Sequence, residues 1–495
     1  MPSWRRVAVL LTATLLVAGL PASRDALPAA VSERVEDPPN IVLVMTDDQN
    51  DYELDEMPLT RAALQDDGMD FVDAVSPHPL CCPARAEILT GQYAQNNGVR
   101  HNNGQHGGFD ALDPSSTLAT WFREGGYATA FVGKYLNKYG PADGPQEGWD
   151  RWHALTRGVY SYQDFSLADG DREQRYRDAY VSDVISEQTT RTARELAAGD
   201  RPFLLLSWHL APHYRFSDSG ERMPPLSAPE DRDSFTEAEP VSIGKPSFSM
   251  EQDAEGTQVM ARPHPRRLAA VRAEHRARLR SLQAVDRSVA DLVTALKEEG
   301  VWEDTYLFFT SDNGFLLGEH HLIGKNVLLE EALQIPLLVA GGGVRHGSSA
   351  APVSLVDLPA TFVDLAGLTP DASLDGLSLA PLLRGETGPW RDTTLVQTGR
   401  TAGDGWEVRG VRTHRYLYAV GAEGRDEVLI DRLVDPFELT NRVEDPFYAG
   451  TRDELRRRRD LLVDCAGADC NRVFGPVPDP LTELDLGALP RRIGP

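Results

Sequence analysis

Long apolar runs, rather than alternating patterns, mark the strands predicted for the first three-quarters of the chain. The four clearest runs cover residues 40–45, 127–132, 202–208 and 306–310. Strands of a parallel sheet are buried on both faces and therefore carry such continuous runs. Segments with a helical spacing of apolar residues lie between them, the longest at 266–300. This alternation predicts an α/β fold with a large, mostly parallel sheet flanked by helices.

The pattern changes near residue 390, where short alternating segments replace the long apolar runs. They predict a short antiparallel sheet. We therefore expect a large α/β domain at 39–370 and a smaller C-terminal α+β domain at 385–480. Residues 140–175 are rich in Gly and aromatic side chains, and residues 217–265 are polar and rich in Pro. We interpret the first stretch as a loop and the second as an irregular insertion.

The first thirty residues have the layout of a secretory signal peptide. Arg5 and Arg6 precede an apolar run at 7–20, and small residues and prolines follow. The run is shorter than the roughly 18–20 apolar residues that a membrane-spanning helix needs. Residues 1–30 therefore predict export, a secreted extracellular protein and no stable insertion into a membrane. The formal net charge of −25 argues against general binding to nucleic acid or to an anionic membrane.

Each of the four apolar runs ends at polar residues: Asp47 and Asp48, Lys134, His209 and His213, and Asp312 and Asn313. In an open α/β sheet the functional site lies beyond the carboxyl ends of the strands, so these side chains should meet in one crevice. The acidic and amide side chains of this set offer only oxygen ligands. They favour a hard divalent cation, Ca²⁺ or Mg²⁺, over Zn²⁺. Without a cation the three carboxylates would repel one another. Exposed turns and helix caps are the alternative interpretation.

Two lysines and one histidine add groups that suit an anionic substrate. Lys134 and Lys325 each follow a glycine, and a lysine at the rim of a site can hold an anionic oxygen as a point charge. His213 can act as a general acid or base near neutral pH. A solvated surface lysine and a structural histidine are the ordinary alternatives for these residues taken singly.

The chain has only four cysteines. Cys465 and Cys470 close a short loop and predict a local disulfide in an exported protein. Cys81 and Cys82 are adjacent, and neighbouring cysteines rarely bridge because the small ring strains the peptide. Together with Pro83 and the arginine two residues further on, they form C-x-P-x-R ahead of a predicted helix at 85–89.

With these residues assembled, the chain resembles type I sulfatases of the alkaline phosphatase superfamily. The likeness covers most of the chain, from NIVLVMTDDQ through CCPARAEILTG, GKYLNKYG, SDNGFLLGEH and GKNVLLEEALQIPL to LVDLPATFVDLAG. GKYLNKYG and the CAGADC loop are similar to the branch that includes glucosamine-6-sulfatases. The resemblance implies an alkaline-phosphatase-like catalytic domain at 39–370. It also implies that the protein hydrolyses the sulfate monoester of a sugar or of an aryl alcohol, and that the products are the free alcohol and inorganic sulfate.

The resemblance further implies that Cys81 is oxidised to Cα-formylglycine by a formylglycine-generating enzyme. One hydroxyl of the hydrated aldehyde would attack the sulfur, and the other would later lose its proton to expel sulfate. Cys82 would be a buried structural thiol. The implied ligands of Ca²⁺ are the modified Cys81 with Asp47, Asp48, Asp312 and Asn313. The implied roles of the basic residues are Arg85 for the hydrate, Lys134 and Lys325 for the sulfate oxygens, and His213 for the leaving group.

The sequence departs from the family pattern at two positions. Ala84 stands where serine is commoner. Leu136 stands where the family often has histidine, two residues after Lys134, and Asn137 follows it. Whether Asn137 takes over the contact of that histidine is left open by the sequence.

Three other functions are compatible with parts of the pattern. A phosphoester or phosphonate hydrolase on the same scaffold would also hold a tetrahedral anion with a cation and lysines. A catalytically silent protein could bind sulfated glycans through the same pocket. A thiol-redox protein using Cys81 and Cys82 would leave the acidic clusters without a role.

Overall fold

The main sheet lies at the centre of a computed structural model that describes residues 38–252, 258–260 and 265–481. Within these residues it has ten strands: β1 (Asn40–Thr46), β2 (Met69–Phe71), β3 (Ala128–Gly133), β4 (Arg151–Arg157), β5 (Asp164–Asp169), β6 (Arg172–Arg177), β7 (Phe203–Trp208), β8 (Thr305–Ser311), β9 (Leu337–Gly341) and β10 (Gly347–Ser349). Their order is β10-β2-β9-β8-β1-β7-β3-β4-β5-β6. The central strands β8, β1, β7 and β3 are all parallel, and antiparallel pairs lie towards both edges. The predicted fold class is confirmed.

Helices cover both faces of this sheet. The longer ones in the described residues are α1 (Cys81–Thr90), α2 (Leu118–Glu124), α3 (Val181–Ala197), α4 (Pro265–Glu298), α5 (Asp357–Leu365) and α6 (Ala449–Leu462). Shorter α-helical segments are Pro58–Thr60, Ala94–Asn97, Pro246–Ser249, Glu330–Leu333 and Ala380–Leu383.

Strand β1 shows how the two faces are covered. Ile41, Leu43 and Met45 belong to one core with residues of α1, α2 and α5. Val42 and Val44 belong to a second core with residues of α3 and α4. Every residue of β1 is buried, which is why the strand carries a continuous apolar run rather than an alternating one.

A second, antiparallel sheet lies in the C-terminal region, as expected. Its strands in the described residues are β11 (Thr394–Gly399), β12 (Trp406–Arg412), β13 (Tyr416–Gly421) and β14 (Val428–Asp431), paired in that order. Helix α6 packs against β12 and β13, and Leu455 and Leu462 enter their core. The Cys465–Cys470 disulfide is present. The boundary between the domains at 39–370 and 385–480 stays a prediction.

Two expectations for irregular segments are corrected. The loop expected at 140–175 contains β4, β5 and β6, which extend the main sheet. Strands β4 and β5 are buried except at their end residues. Strand β6 (REQRYR) is almost wholly exposed and rich in charge, so its sequence resembles that of a loop. The insertion expected at 217–265 contains short antiparallel pairs, among them Met250–Gln252 with Gln258–Met260.

Helix α1 begins four residues earlier than the sequence predicted, at Cys81. Pro83 is tolerated there because the first turn of a helix has no intrahelical partner for a backbone N–H. The signal peptide at residues 1–30 lies outside the described residues and stays a prediction. No helix in the part of the chain that the structure describes is long and apolar enough to cross a membrane.

Candidate active site

The carboxyl ends of four neighbouring strands bring the predicted polar residues together. Asp47 and Asp48 follow β1, Lys134 follows β3, and Asp312 follows β8. Because β8, β1, β7 and β3 are adjacent and parallel, their ends open at the same edge. The backbone N–H of Asp48 donates to Asp312 Oδ1 at 3.1 Å. The convergence expected from the sequence is therefore observed, and the chemical roles stay predictions.

Arg85 ties two of these strands together from helix α1. Its Nε donates to Asp312 Oδ2 at 3.0 Å, and its Nη2 donates to Asp47 Oδ2 at 3.1 Å. All three side chains are fully buried. Burial would lower the pKa of Arg85, but Asp312 and Asp47 raise it above its usual value. The guanidinium is thus a permanent charge that orients both carboxylates.

Cys81, at the start of α1, faces two ammonium groups. Its Sγ lies 2.8 Å from Lys325 Nζ and 3.6 Å from Lys134 Nζ, and 3.5 Å from Asp47 Oδ1. Burial and the Asp47 carboxylate raise the pKa of this thiol to about 11 despite the lysines. A thiol with that pKa is almost entirely protonated near neutral pH and is a poor nucleophile. The raised pKa argues against thiol catalysis and thiol redox chemistry at Cys81.

Two oxygen atoms at the ends of β1 and β8 have no hydrogen-bond partner among the described residues. They are Asp48 Oδ2 and Asn313 Oδ1, and both are buried. A buried polar atom without a partner costs free energy, so such atoms indicate a ligand. Ligand atoms of Asp47, Asp48, Cys81 and His213 also lie within 4.8 Å of one another. The carboxylate oxygens of Asp47 and Asp48 and the amide oxygen of Asn313 fit a hard divalent cation, whereas the Cys81 sulfur and the His213 nitrogen are softer ligands.

The expected repulsion among the carboxylates is offset by charges of the protein itself. Lys134 contacts Asp47 Oδ2 and Lys325 contacts Asp48 Oδ1. Burial alone would raise the pKa of Asp47, but the cations around it, Lys134 first, hold it well below its usual range. Burial and the charge of Asp47 raise the pKa of Asp312 to about 6. The cluster therefore does not rely on a metal ion alone for its charge balance.

His213 follows β7 and completes the cluster. Its Nδ1 lies 2.6 Å from the carbonyl oxygen of Tyr214, so Nδ1 must carry the proton and donate it. Its Nε2 lies 3.7 Å from Asp48 Oδ2. Burial lowers the pKa of His213 to about 3, so Nε2 carries a lone pair. Two acceptors therefore face one another, an arrangement that a cation or a proton between them would stabilise. His209, by contrast, turns away and contacts Ser288 of α4 at 3.3 Å.

Asn137 forms hydrogen bonds with Cys82 and Tyr160. Its N–H donates to Cys82 Sγ at 3.0 Å, and its Nδ2 donates to the Tyr160 hydroxyl at 2.7 Å. Leu136 is buried in the main core. Tyr160 itself was missed by the sequence analysis as a site residue. Its ring lies 4.7 Å from Lys134 Nζ, and the only sequence signal was its place in an aromatic-rich stretch.

Comparison with known proteins places the chain in a family. A family profile described as Sulfatase matches residues 39–368. The chain belongs to the sulfatase family. A second profile, described as N-sulphoglucosamine sulphohydrolase, C-terminal, matches residues 318–463. Together they confirm the resemblance seen in the sequence.

Two sulfatase relatives illustrate the range of similarity. The N-acetylglucosamine-6-sulfatase of Homo sapiens is 31% identical over 381 residues, which are 72% of this chain and 67% of the relative. The putative extracellular sulfatase Sulf-1 homolog of Caenorhabditis elegans is 30% identical over 383 residues, 73% of this chain and 52% of the relative. The chain thus spans about half the length of the nematode relative.

Solved structures share the fold. One is a protein in complex with its substrate D-glucosamine-2-N,6-O-disulfate, with a TM-score of 0.70, 21% identity and coverage of 86% of this chain and 97% of that chain. Another is the phosphonate monoester hydrolase of Agrobacterium radiobacter, with a TM-score of 0.63, 22% identity and coverage of 85% and 94%. At these identities the likeness supports the sulfatase-type fold alone.

Proposed function

We propose that the protein is a sulfuric ester hydrolase that cleaves sulfate monoesters of sugars or aryl alcohols and releases inorganic sulfate. The observation that carries this proposal is the setting of Cys81, which lies between Lys134 and Lys325 at the carboxyl ends of the central strands. Cations placed around one point suit a tetrahedral anion whose charge shifts during transfer. Membership of the sulfatase family and relatives named N-acetylglucosamine-6-sulfatase and arylsulfatase support the sulfate ester.

The proposed nucleophile is Cα-formylglycine derived from Cys81 by a formylglycine-generating enzyme. Its hydrated aldehyde would supply a hydroxyl nucleophile and a second hydroxyl for release of sulfate. Side chains of the protein would bind the sulfate and position the carboxylates. Lys134 and Lys325 lie where they would contact the oxygens of a sulfate at position 81, and Arg85 holds Asp47 and Asp312 in place. His213 lies on the side of the leaving group in this proposal.

The proposed cation is Ca²⁺, with Mg²⁺ as the alternative, and it would supply Lewis-acid stabilisation of the transferring group. Its ligands would be Asp47, Asp48, Asp312, Asn313 and the modified residue 81. The unpartnered oxygens of Asp48 and Asn313 support this choice. Removing the ion with a chelator should lower turnover by on the order of a hundredfold. Restoration by Ca²⁺ or by Mg²⁺ identifies the metal, and undiminished turnover in the chelator would contradict the proposal.

Export to the cell exterior is also proposed. The support is the predicted signal peptide at residues 1–30 and the description of two relatives as extracellular sulfatases. The N-terminal sequence of protein recovered from the culture medium tests it. A mature chain that begins between residues 21 and 30 is expected.

Two measurements test the proposed reaction. Mass spectrometry of the peptide that contains Cys81, from protein made in its native host, should show the aldehyde in place of the thiol. Turnover of matched 4-nitrophenyl sulfate, phosphate and phenylphosphonate should favour the sulfate. Much faster cleavage of the phosphorus esters would make the protein a phosphoester or phosphonate hydrolase instead. An intact thiol with no turnover would leave a protein that binds sulfated glycans.

A further inference from the structure

Three aromatic rings connect the buried cluster with the protein surface. They are Tyr160, Tyr214 and Phe216, which we call the aromatic shelf. The His213 ring lies 4.7 Å from the Tyr160 ring and 4.1 Å from the Tyr214 ring. Phe216 meets both tyrosines edge-on, at 5.6 Å and 5.3 Å between centroids. The shelf is therefore continuous from the cluster outwards.

Exposure increases along the aromatic shelf. His213 is buried, Tyr160 and Tyr214 are partly exposed, and 45% of Phe216 is exposed. Phe216 lies in the short pair Arg215–Phe216 with Arg222–Met223. Because Phe216 continues a series of ring contacts that begins at the buried His213, its exposed part offers apolar surface that a ligand bound at the cluster could cover.

The shelf is held in place by a hydrogen bond to Tyr160 and by cations that lie over the rings of Tyr160 and Tyr214. Asn137 Nδ2 donates to the Tyr160 hydroxyl at 2.7 Å, and the backbone of Asn137 is anchored on Cys82 Sγ. The Arg222 guanidinium lies 4.3 Å from the Tyr214 ring. The rings are thus fixed before a ligand arrives, which lowers the entropic cost of binding.

We propose that the aromatic shelf binds the alcohol half of the substrate and selects alcohols with a rigid six-membered ring, either an aryl ring or a pyranose that presents its C–H face. This inference rests on the proposed function and extends it to the leaving group. A sulfate held between Lys134 and Lys325 would direct its ester oxygen towards His213 and the shelf. A rigid ring covers aromatic side chains well, whereas an open alkyl chain of equal size covers them poorly and loses more conformational freedom.

Kinetics of the mature enzyme test the shelf with three sulfate esters: glucosamine 6-sulfate, 4-nitrophenyl sulfate and hexyl sulfate. In Phe216→Ala we expect KM to rise about tenfold for the two ring substrates. KM for hexyl sulfate and inhibition by inorganic sulfate should change less than about twofold. Phe216→Tyr keeps a flat ring and should restore KM. Leu433→Ala, at a side chain that is 71% exposed in the C-terminal region, is the matched control and should leave all values unchanged.

The outcomes separate this inference from the proposed function. An equal rise of KM for hexyl sulfate, or no rise for the ring substrates, overturns the shelf while sulfate hydrolysis stands. If KM in Phe216→Ala rises for only one of the two ring substrates, that substrate shows whether the shelf binds a sugar or an aryl ring. If the wild type cleaves no sulfate ester, the proposed function fails, and saturation-transfer NMR with glucosamine and 4-nitrophenol still measures binding. Loss of either signal in Phe216→Ala supports the shelf, and retention of both contradicts it.

Discussion

Cys81 and Cys82 are chemically identical neighbours whose surroundings give them different tasks. Both are fully buried, and burial raises the pKa of Cys81 to about 11 and that of Cys82 to about 12. Cys81 faces Lys134 and Lys325, whereas Cys82 accepts a hydrogen bond from the backbone of Asn137. Burial favours the protonated form of both thiols near neutral pH, so the proposed difference between them lies in conversion of Cys81 and in the charges around it.

Replacing the two cysteines one at a time checks this division of tasks. Cys81→Ala should abolish turnover, because the nucleophile is lost. Cys82→Ala should leave kcat within about threefold of the wild type and lower the free energy of unfolding by about 1–2 kcal/mol, since only a buried thiol and its hydrogen bonds are removed. Steady-state kinetics and denaturant unfolding provide the two readouts. Equal loss of turnover in both variants would contradict the assignment of Cys81.

Glu438 offers a test of pH dependence outside the site. Burial, together with the charge of Glu330, raises its pKa from about 4.5 to about 8. The folded state thus binds a proton that the unfolded chain releases, so this group lowers stability as the pH rises from about 4.5 to about 8. Its Oε2 accepts the Glu330 N–H at 2.9 Å, which Glu438→Gln can keep.

We expect Glu438→Gln to match the wild type near pH 5 and to be more stable near pH 8.5. Urea unfolding at the two pH values measures the difference. Glu386→Gln removes one carboxylate from an exposed position and controls for the general effect of net charge. A Glu438→Gln variant that gains nothing at the higher pH would show that Glu438 is already ionised in the fold.

At the level of elements, the strand ends were the most predictable part of the site. The apolar runs of β1, β3, β7 and β8 stop abruptly at polar residues. Because neighbouring parallel strands end at the same edge of the sheet, these polar residues come together. Strands β4 to β6 were not predictable in the same way, because the edge strand β6 is charged on both faces. The contact between Asn137 and Tyr160 could not be predicted either, since it depends on where a strand connection folds back over the site.

Gly133 shows how closely two strand ends approach one another. It ends β3 with a φ of 108°, and a Cβ there would lie 2.0 Å from the carbonyl oxygen of Trp208 in β7. A side chain at this position must push apart the strand ends that carry Lys134 and His213. Only glycine fits both the backbone conformation and the space.

Gly133→Ala should therefore reduce both stability and activity. We expect a loss of on the order of 3–4 kcal/mol in the free energy of unfolding, and a lower kcat in the folded fraction. Gly126→Ala is the matched control, because Gly126 also has a positive φ but nothing within 4 Å of its added Cβ. Its cost should be about 1–2 kcal/mol with kcat unchanged. Similar losses of free energy of unfolding in the two variants would mean that backbone strain, rather than the clash with Trp208, causes the destabilisation.

At the scale of the whole molecule, buried charges join the C-terminal sheet to the main one. Arg391, just before β11, donates to both carboxylate oxygens of Asp357 at the start of α5. Both side chains are fully buried. Arg412 of β12 likewise pairs with Asp73 at 2.7 Å. Removing one partner of a buried pair lowers the free energy of unfolding strongly, because the other charge is left buried without compensation, whereas loss of an exposed pair has little effect.

Arg391→Ala should lower the free energy of unfolding by about 3–5 kcal/mol, because Asp357 would remain charged and buried without its partner. Arg384→Ala removes an exposed pair with Glu386 and should cost less than about 1 kcal/mol. Thermal unfolding monitored by circular dichroism measures both. A cost below 1 kcal/mol for Arg391→Ala would show that the two sheets are not held together at this point.

The sequence could not reveal the path by which a substrate reaches the cluster. Cys81, Arg85 and the strand ends carry recognisable motifs, but Phe216 and Tyr214 carry none. Their proposed role depends on three-dimensional contacts: Tyr214 stacks on His213, and Phe216 packs on Tyr214. Contacts of this kind are not visible in a sequence, which is why the class of ester was predictable and its leaving group was not.

The position of Cys81 in the first turn of the packed helix α1 implies an order of events for its proposed conversion. A small ester can enter a site of the folded protein, but a modifying enzyme must draw this stretch of chain into its own active site, so the proposed conversion would come before the sheet closes. In a host where folding of the chain is faster than modification of Cys81, part of the protein would fold with an unmodified thiol. The specific activity of a preparation would then depend on the conditions of its synthesis. A molecule that has folded with its thiol intact would have to unfold before it could be converted.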